Sequence, residues 1–312
     1  MRILLVTTSY PSSASDPSGH FVESEALGLA QEGHSVTVVT GAGDVQGEER
    51  RDPVTVLRLP SGGAMGWPGI AARVGERPLR AAGLAWWLHA ARAAVKERAP
   101  FDRIVAHWSV PSGWPIAFET TGDLTLVSHG GDVRLLVALP AALRGRLVRA
   151  LSARASKWRF VSGALLEKLA SSLSAAERAA VDRIACVEAP AIDMPDVTGD
   201  ILRLRAARTT RPLYASVGRL VSGKRVDLVI DYVAQRDDAP ELVIVGDGPE
   251  RRRLEARARD SRVDARFVGR TSRREALAWI GAADALVHAS RDEGLSTVLR
   301  EAEALGTRIV RL

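Results

Sequence analysis

The chain has 312 residues, 46% of them apolar and 26% charged, with a net charge of +6 and one cysteine, Cys186. That composition excludes a disordered or collagen-like chain, an internal disulfide and a cysteine-built zinc cage. No run of apolar residues reaches the ~18 of a membrane-crossing helix, and an aromatic content of 5% argues against a base-stacking nucleic-acid surface. The opening MRILLVTTSYPSS reads as a first strand. Its apolar run is too short for a signal peptide and no small-residue cleavage site follows, so the expected location is the cytoplasm.

Residues 3–8 form the first β run. A loop rich in Pro, Ser and Gly covers 11–19, and a helical pattern over 20–31 stops at Gly33. A second β run over 35–40 completes a β-α-β unit, which favours a parallel sheet with right-handed crossovers. Further β runs fall at 103–107, 124–128 and 158–161, separated by helical patterns that include 79–98 and 141–153. Between 189 and 211 the pattern breaks, punctuated by Pro190, Pro195 and Pro212. A linker near Pro190 gives two predicted domains, 1–190 and 191–312. The β-α alternation then restarts, with strands expected at 213–217, 242–245, 265–268, 285–288 and 308–310. Helices are expected near 225–234, 250–258, 273–280 and 297–305. The fold class is α/β: two Rossmann-like domains with parallel sheets facing a cleft, with ligands beyond the carboxyl ends of the strands.

Two stretches carry chemistry. In Arg291-Asp-Glu-Gly-Leu-Ser-Thr-Val-Leu-Arg-Glu301, Glu293 follows a strand in a turn that Gly294 permits. Glu301 lies two turns into the next helix. An all-helical interval of that length spans ~12 Å, about the reach of a nucleotide sugar. One carboxylate would take sugar hydroxyls and the other ribose hydroxyls, with a diphosphate between them at the helix amino terminus. Two solvated glutamates at a helix start would give the same letters. In Val217-Gly-Arg-Leu-Val-Ser-Gly-Lys-Arg225, Gly218 and Gly223 allow tight turns, and Arg219 and Lys224 offer cations to phosphate. The letters approach a P-loop, but Arg225 stands where Ser or Thr would hold Mg²⁺. A plain loop with surface cations is the simpler alternative.

With these residues the carboxyl half resembles retaining GT-B glycosyltransferases of the large Glu-x7-Glu family (glycosyltransferase family 4-like), which includes sucrose synthase-like and bacterial polysaccharide and glycolipid enzymes. The matching pieces, in family order, are Val217-Gly-Arg-Leu with Lys224, Leu242-Val-Ile-Val-Gly-Asp-Gly-Pro-Glu250, Phe267-Val-Gly269, Ala283-Asp-Ala-Leu-Val-His288, and the Glu293/Glu301 unit followed by Ala302-Glu-Ala-Leu-Gly306. The amino half resembles the same family through Pro17-Ser-Gly-His-Phe-Val-Glu23, Ala106-His-Trp-Ser-Val-Pro-Ser-Gly113 and Ser128-His-Gly-Gly-Asp132.

The resemblance implies a retaining, metal-independent hexosyltransferase that uses a nucleotide-diphosphate sugar as co-substrate and has no cofactor. The acceptor would be a glycan, polysaccharide or glycolipid. Arg219 and Lys224 would neutralise the diphosphate, Glu301 would bind the ribose and Glu293 the transferred sugar. Gly218, Gly269 and the Gly294, Leu295, Ser296 and Thr297 backbone would help hold the donor. Gly19 would let the first loop approach phosphate or acceptor, and His129 would sit beside the sugar, unless it is an ordinary histidine at a strand end. His288 is expected to pack under the donor loop. Two alternatives stand: a donor-binding pseudoenzyme or partner subunit of the same fold, and a P-loop-like phosphotransferase.

Two departures from the family pattern are expected to matter. The chain stops soon after Gly306, which implies a shortened carboxyl domain and favours homo- or hetero-oligomers. Pro190-Ala-Ile-Asp193 replaces the usual Asn-Gly pair after the linker strand. Finally, residues 134–168 hold eight cations and one acid, Glu167. With Leu143, Leu147 and Leu151 as an apolar stripe and Trp86 and Trp87 as anchors, this suggests peripheral contact with the inner face of a membrane or an anionic acceptor site. A core-facing stripe beneath an arginine-rich surface is the other reading.

Overall fold

A computed structural model describes every residue except 14, 15, 17, 43–45, 67, 68, 193 and 291–293. The chain divides into two compact units: Met1–Ser12 with Ser18–Ala191, and Ser13–Pro17 with Ile192–Leu312.

The first unit holds strands β1 (Arg2–Val6), β2 (Ser35–Gly41), β3 (Gly47–Arg51), β4 (Val54–Leu59), β5 (Arg103–His107), β6 (Asp123–Ser128), β7 (Lys157–Phe160) and β8 (Ala185–Val187). They form one sheet in the order β3-β4-β2-β1-β5-β6-β7-β8. Every neighbouring pair is parallel except β3 with β4. Ile3, Leu4, Leu5 and Val6 are fully buried, as expected of a central parallel strand covered by helices on both faces. The helix His20–Gln31 turns Val22, Ala26, Leu29 and Ala30 inward, the spacing of one helical face.

The second unit is doubly wound. Strands β9 (Leu213–Val217), β10 (Glu241–Val245), β11 (Ala265–Gly269), β12 (Ala285–His288) and β13 (Arg308–Arg311) are all parallel, in the order β11-β10-β9-β12-β13. Successive side chains point to opposite faces. Tyr214, Leu242, Ile244, Ala285 and Val287 pack with Val229, Ile230, Val233 and Leu254 on one side. Leu213, Ala215, Val243, Val245 and Leu286 pack with Leu277, Ile280 and Ala302 on the other. Each buried Val, Leu or Ile stabilises the unit by roughly 1.5–3 kcal/mol.

Several elements depart from the sequence reading. The β3–β4 hairpin was not foreseen, because Gly-Glu-Glu-Arg-Arg has no apolar alternation. Its polar residues serve β4 instead: Glu49 accepts from buried Arg58 at 3.1 Å. A helix, Thr198–Ala206, occupies the stretch that reads as patternless. Its Ile201 and Leu204 pack on the second unit's core, and Arg205 donates to the Gly281 carbonyl at 2.8 Å. In the basic helix Ala141–Arg154, Leu147 and Leu151 are buried while Leu143 is 45% exposed. Two of the three stripe positions therefore face the core, which favours the plain reading of that helix. Of the tryptophan pair, Trp87 is buried and Trp86 exposed. Among the described residues, no helix is long and apolar enough to cross a membrane.

Candidate functional site

In the second unit the chain leaves β9 in one direction along the sheet and later returns to β9's other side as β12. Loops following such a pair diverge and open a crevice beyond the carboxyl ends of the strands. The loop after β9 carries Gly218, exposed Arg219 and half-buried Lys224. It is fastened to the loop after β10 by main-chain bonds: Gly218 N to Val245 O at 2.9 Å, Leu220 N to Asp247 O at 2.9 Å, and Glu250 N to Leu220 O at 3.0 Å. The approach is close enough to demand glycine. A Cβ on Gly246 would lie 1.8 Å from the Gly218 oxygen, and one on Gly248 2.4 Å from the Leu220 oxygen. The β9 and β12 loops also meet, with Ser290 Oγ 3.5 Å from the Gly223 oxygen. Lys224 stands near His288: burial chiefly, then the Lys224 and Arg311 charges, push that imidazole down to about 4.

The β12 loop leads into the helix Thr297–Ala304, with Ser296 at its N-cap and no side-chain cap on the amino-terminal N–H groups. Gly294, Leu295, Ser296 and Thr297 are half-buried. Glu293 lies outside the described residues. Glu301, in the second turn, is 6% exposed. Its Oε1 accepts from Arg273 Nε at 3.0 Å, while Oε2 makes no hydrogen bond to a described residue. Burial raises its carboxyl above the ordinary range, and Arg273 opposes the rise. Gly269 ends β11, and its carbonyl accepts from Gly246 N at 2.9 Å, so it touches the loop after β10. Arg225, in the P-loop serine position, caps the helix Val226–Ala234 in a left-handed conformation and pairs with Asp227 at 3.4 Å.

The first unit has a corresponding switch at β1 and β5. Gly19 closes the loop after β1 at φ 70°, where a Cβ would meet the Ser9 oxygen at 2.2 Å. The close approach that this glycine allows is therefore to its own loop. His129 follows β6 and is half-buried. Phe21 and Trp108 cover it, with ring centroids at 4.8 and 4.7 Å, and His129 Nε2 lies 3.0 Å from His107 Nδ1. The turn beneath it is organised by buried Asp132. That carboxylate accepts from Ser109 N and Oγ at 2.9 Å each, from Gly130 N at 3.1 Å and from His129 N at 3.2 Å. Burial pushes His107 down to about 3 and also lowers His129. Both are neutral at pH 7.

Residues 185–311 match the family described as Glycosyl transferases group 1. The match spans most of the second unit. The fold of the chain is α/β of the GT-B type, with parallel sheets in both units. A GDP-mannose-dependent alpha-mannosyltransferase of Mycobacterium tuberculosis is 32% identical over 116 residues, covering 37% of this chain and 29% of that protein. The putative teichuronic acid biosynthesis glycosyltransferase TuaC of Bacillus subtilis is 26% identical over 99% of this chain and 80% of its own. The structure of Anabaena Alr3699/HepE in complex with UDP and glucose superposes with a TM-score of 0.66 at 17% identity, over 100% of this chain and 80% of that one. The first of these relatives is thus spanned over less than a third of its length.

Sequence reading named Arg219, Lys224, Glu301 and His129 but missed what holds them. Arg273 and His107 sit far along the chain from Glu301 and His129, which they touch, and no local spacing reports such contacts; Asp132, three residues from His129, was visible only as the last letter of the Ser128–Asp132 resemblance. Gly246 and Gly248 were visible only as letters of the family resemblance.

Proposed function

We propose that this chain is a glycosyltransferase of the group 1 family that transfers a hexose from a nucleotide-diphosphate sugar, with retention of configuration, to a glycan, polysaccharide or glycolipid acceptor. The observation that supports the proposal is that the β9 loop, which carries Arg219 and Lys224, meets the β12 loop that leads into the helix Thr297–Ala304 at the switch point of the second unit. Arg219 and Lys224 offset the diphosphate charge, including the charge that grows on the leaving phosphate as the glycosidic bond breaks. The uncapped N–H groups add an anion-favouring field. Glu301, with Oε1 held by Arg273, uses Oε2 to accept a ribose hydroxyl. Glu293 takes the transferred sugar. The leaving phosphate receives the acceptor proton on the face it departs from, so no side-chain base is needed.

The cationic pair does the work that a divalent metal does elsewhere, and no cofactor takes part. A thermal-shift panel of UDP, GDP, ADP and their sugars on the purified chain, followed by isothermal titration, tests the reading. One nucleotide family is expected to bind, Arg219→Ala and Lys224→Ala each to weaken it at least tenfold, and the product anomer to match the donor's. Turnover is expected to persist in excess EDTA; complete loss that Mg²⁺ restores would remove the metal-independent mechanism.

A further inference from the structure

The helix Ala81–Arg98 follows the short helix Pro78–Arg80 without a break, since Arg80 and Ala81 both keep right-handed helical backbone angles. One of its faces belongs to the core. Trp87, Ala91, Ala94 and Val95 are buried there, and Gly83 is pressed so close to the chain at 61–62 that a Cβ would lie 2.1 Å from the Ser61 oxygen. The opposite face is bare. Among the described residues, the two most exposed large apolar side chains are Leu79, at 92%, and Trp86, at 62%. Exposed Ala82 lies between them, three positions from one and four from the other, which places all three on one stripe.

We propose that this stripe docks the first unit on an anionic lipid surface, with Leu79 and Trp86 entering the interface and the arginines at its amino-terminal end meeting lipid phosphates. The face lies wholly within the first unit, so the docking is independent of the donor-binding groups of the second.

A solvated helix face ordinarily carries charge, yet residues 81–91 contain no Lys, Arg, Asp or Glu. Cations stand before that stretch, at Arg73, Arg77 and Arg80, and after it, at Arg92, Lys96 and Arg98; the acids of 73–98 are Glu76 and Glu97. An apolar strip with a tryptophan, bracketed by basic residues, is the pattern of a helix that lies in a bilayer interface. Of the later cations, Arg92 and Arg98 also pair with Glu119 and Glu48, so the attraction centres on the leading group. That group is braced. Arg73 Nε donates to the Gly63 carbonyl at 2.6 Å, and Arg80 Nη1 donates to the Arg73 carbonyl at 3.0 Å and to Glu76 Oε2 at 3.1 Å. Beside Leu79 opens a cavity of about 550 Å³, lined by Gly62, Glu76, Arg77, Pro78, Leu79 and Arg80. Its two guanidinium groups suit a phosphate oxygen. Two other occupants fit less well. A second copy of the chain would set this face, with its net positive charge, against itself. A glycan would find one aromatic ring and a leucine that offers no hydrogen bond.

Flotation of the purified full chain with phosphatidylcholine vesicles, with and without a third of phosphatidylglycerol, tests the docking. The chain is expected to float with the anionic vesicles at low salt, to stay behind with phosphatidylcholine alone, and to be released by high salt. Leu79→Asn combined with Trp86→Asn removes the apolar insertion at two exposed positions. The double variant is expected to melt as the unaltered chain does and to lose about tenfold or more in vesicle partitioning. Arg77→Gln is expected to lose about fivefold, the pull of one basic residue towards an anionic surface. No flotation with anionic vesicles, or equal partitioning of the double variant and the unaltered chain, overturns the proposal. So does partitioning that falls in Leu143→Asn, on the basic helix Ala141–Arg154, and not in the double variant. A dimer seen by sedimentation that the double variant dissolves, or binding of a soluble anionic polysaccharide that it abolishes, would likewise give the face to another occupant and overturn the lipid assignment.

Discussion

A methyl group on Gly246 would stand 1.8 Å from the Gly218 oxygen, at a φ of +139° that side-chain-bearing residues avoid. Neither group is a flexible side-chain end that could step aside. Gly246→Ala is therefore expected to cost about 2 kcal/mol in chemical denaturation and to abolish nucleotide binding in the same calorimetric assay. Retained affinity at wild-type stability would show that the β10 loop does not shape the β9 loop. The Arg273–Glu301 pair invites a second test. The two side chains are 17% and 8% exposed and 3.0 Å apart. Removing the guanidinium leaves a buried carboxylate unpaired, at a cost of ~3 kcal/mol. Arg273→Ala should accordingly be more destabilised than Arg273→Ala combined with Glu301→Gln, a difference that a double-mutant cycle resolves.

Helices and strands were legible to the extent that their stabilising contacts were local or periodic. The helix His20–Gln31 and β9 to β13 announce themselves by apolar spacing and by flanking glycines. The helix Ala175–Asp182 does not, although it carries a full capping box: Glu177 N donates to Ser174 Oγ at 3.4 Å and Ser174 N to Glu177 Oε2 at 3.1 Å. That Ser-x-x-Glu signature was present in the letters and went unread beside a polar helix with one buried residue, Val181. Ser174→Ala is expected to lower stability by about 1 kcal/mol with donor affinity unchanged; a loss of affinity would mean that this helix couples to the site. Strand β3 was hidden for a different reason. Its partner β4 supplies the apolar residues, and a polar edge strand has no pattern of its own. Of the candidate site, the residues proposed to meet a ligand stood out as motif letters, as at Arg219, Lys224 and Glu301. The side-chain contacts behind them were illegible, as at Arg273 and His107.

For the whole molecule, the buried histidines set the response to acid. His107 and His288 have folded values of about 3 and about 4, against ~6.5 for an unfolded histidine. Between those limits the unfolded chain binds more protons than the folded one, so stability falls as pH drops from 6.5 towards 4. Neither contributes above pH 7. Glu301, raised by burial, works in the opposite sense and blunts the decline. Thermal unfolding followed by circular dichroism should show the midpoint falling across that window, and less steeply in His107→Asn; a flat profile would mean that these imidazoles are solvated. Both units also repeat one plan. A first strand lies at the centre, and the loops that matter leave its carboxyl end and those of its later-arriving neighbours. In the second unit the loop after β9 is anchored through Gly218 N, Leu220 N and the Leu220 carbonyl, all of them main-chain atoms. Its scaffold is thus indifferent to which side chains it displays beyond Leu220. Evolution or an engineer can trade Val221 and Ser222 for other letters, retuning what is grasped without recasting the frame that does the grasping.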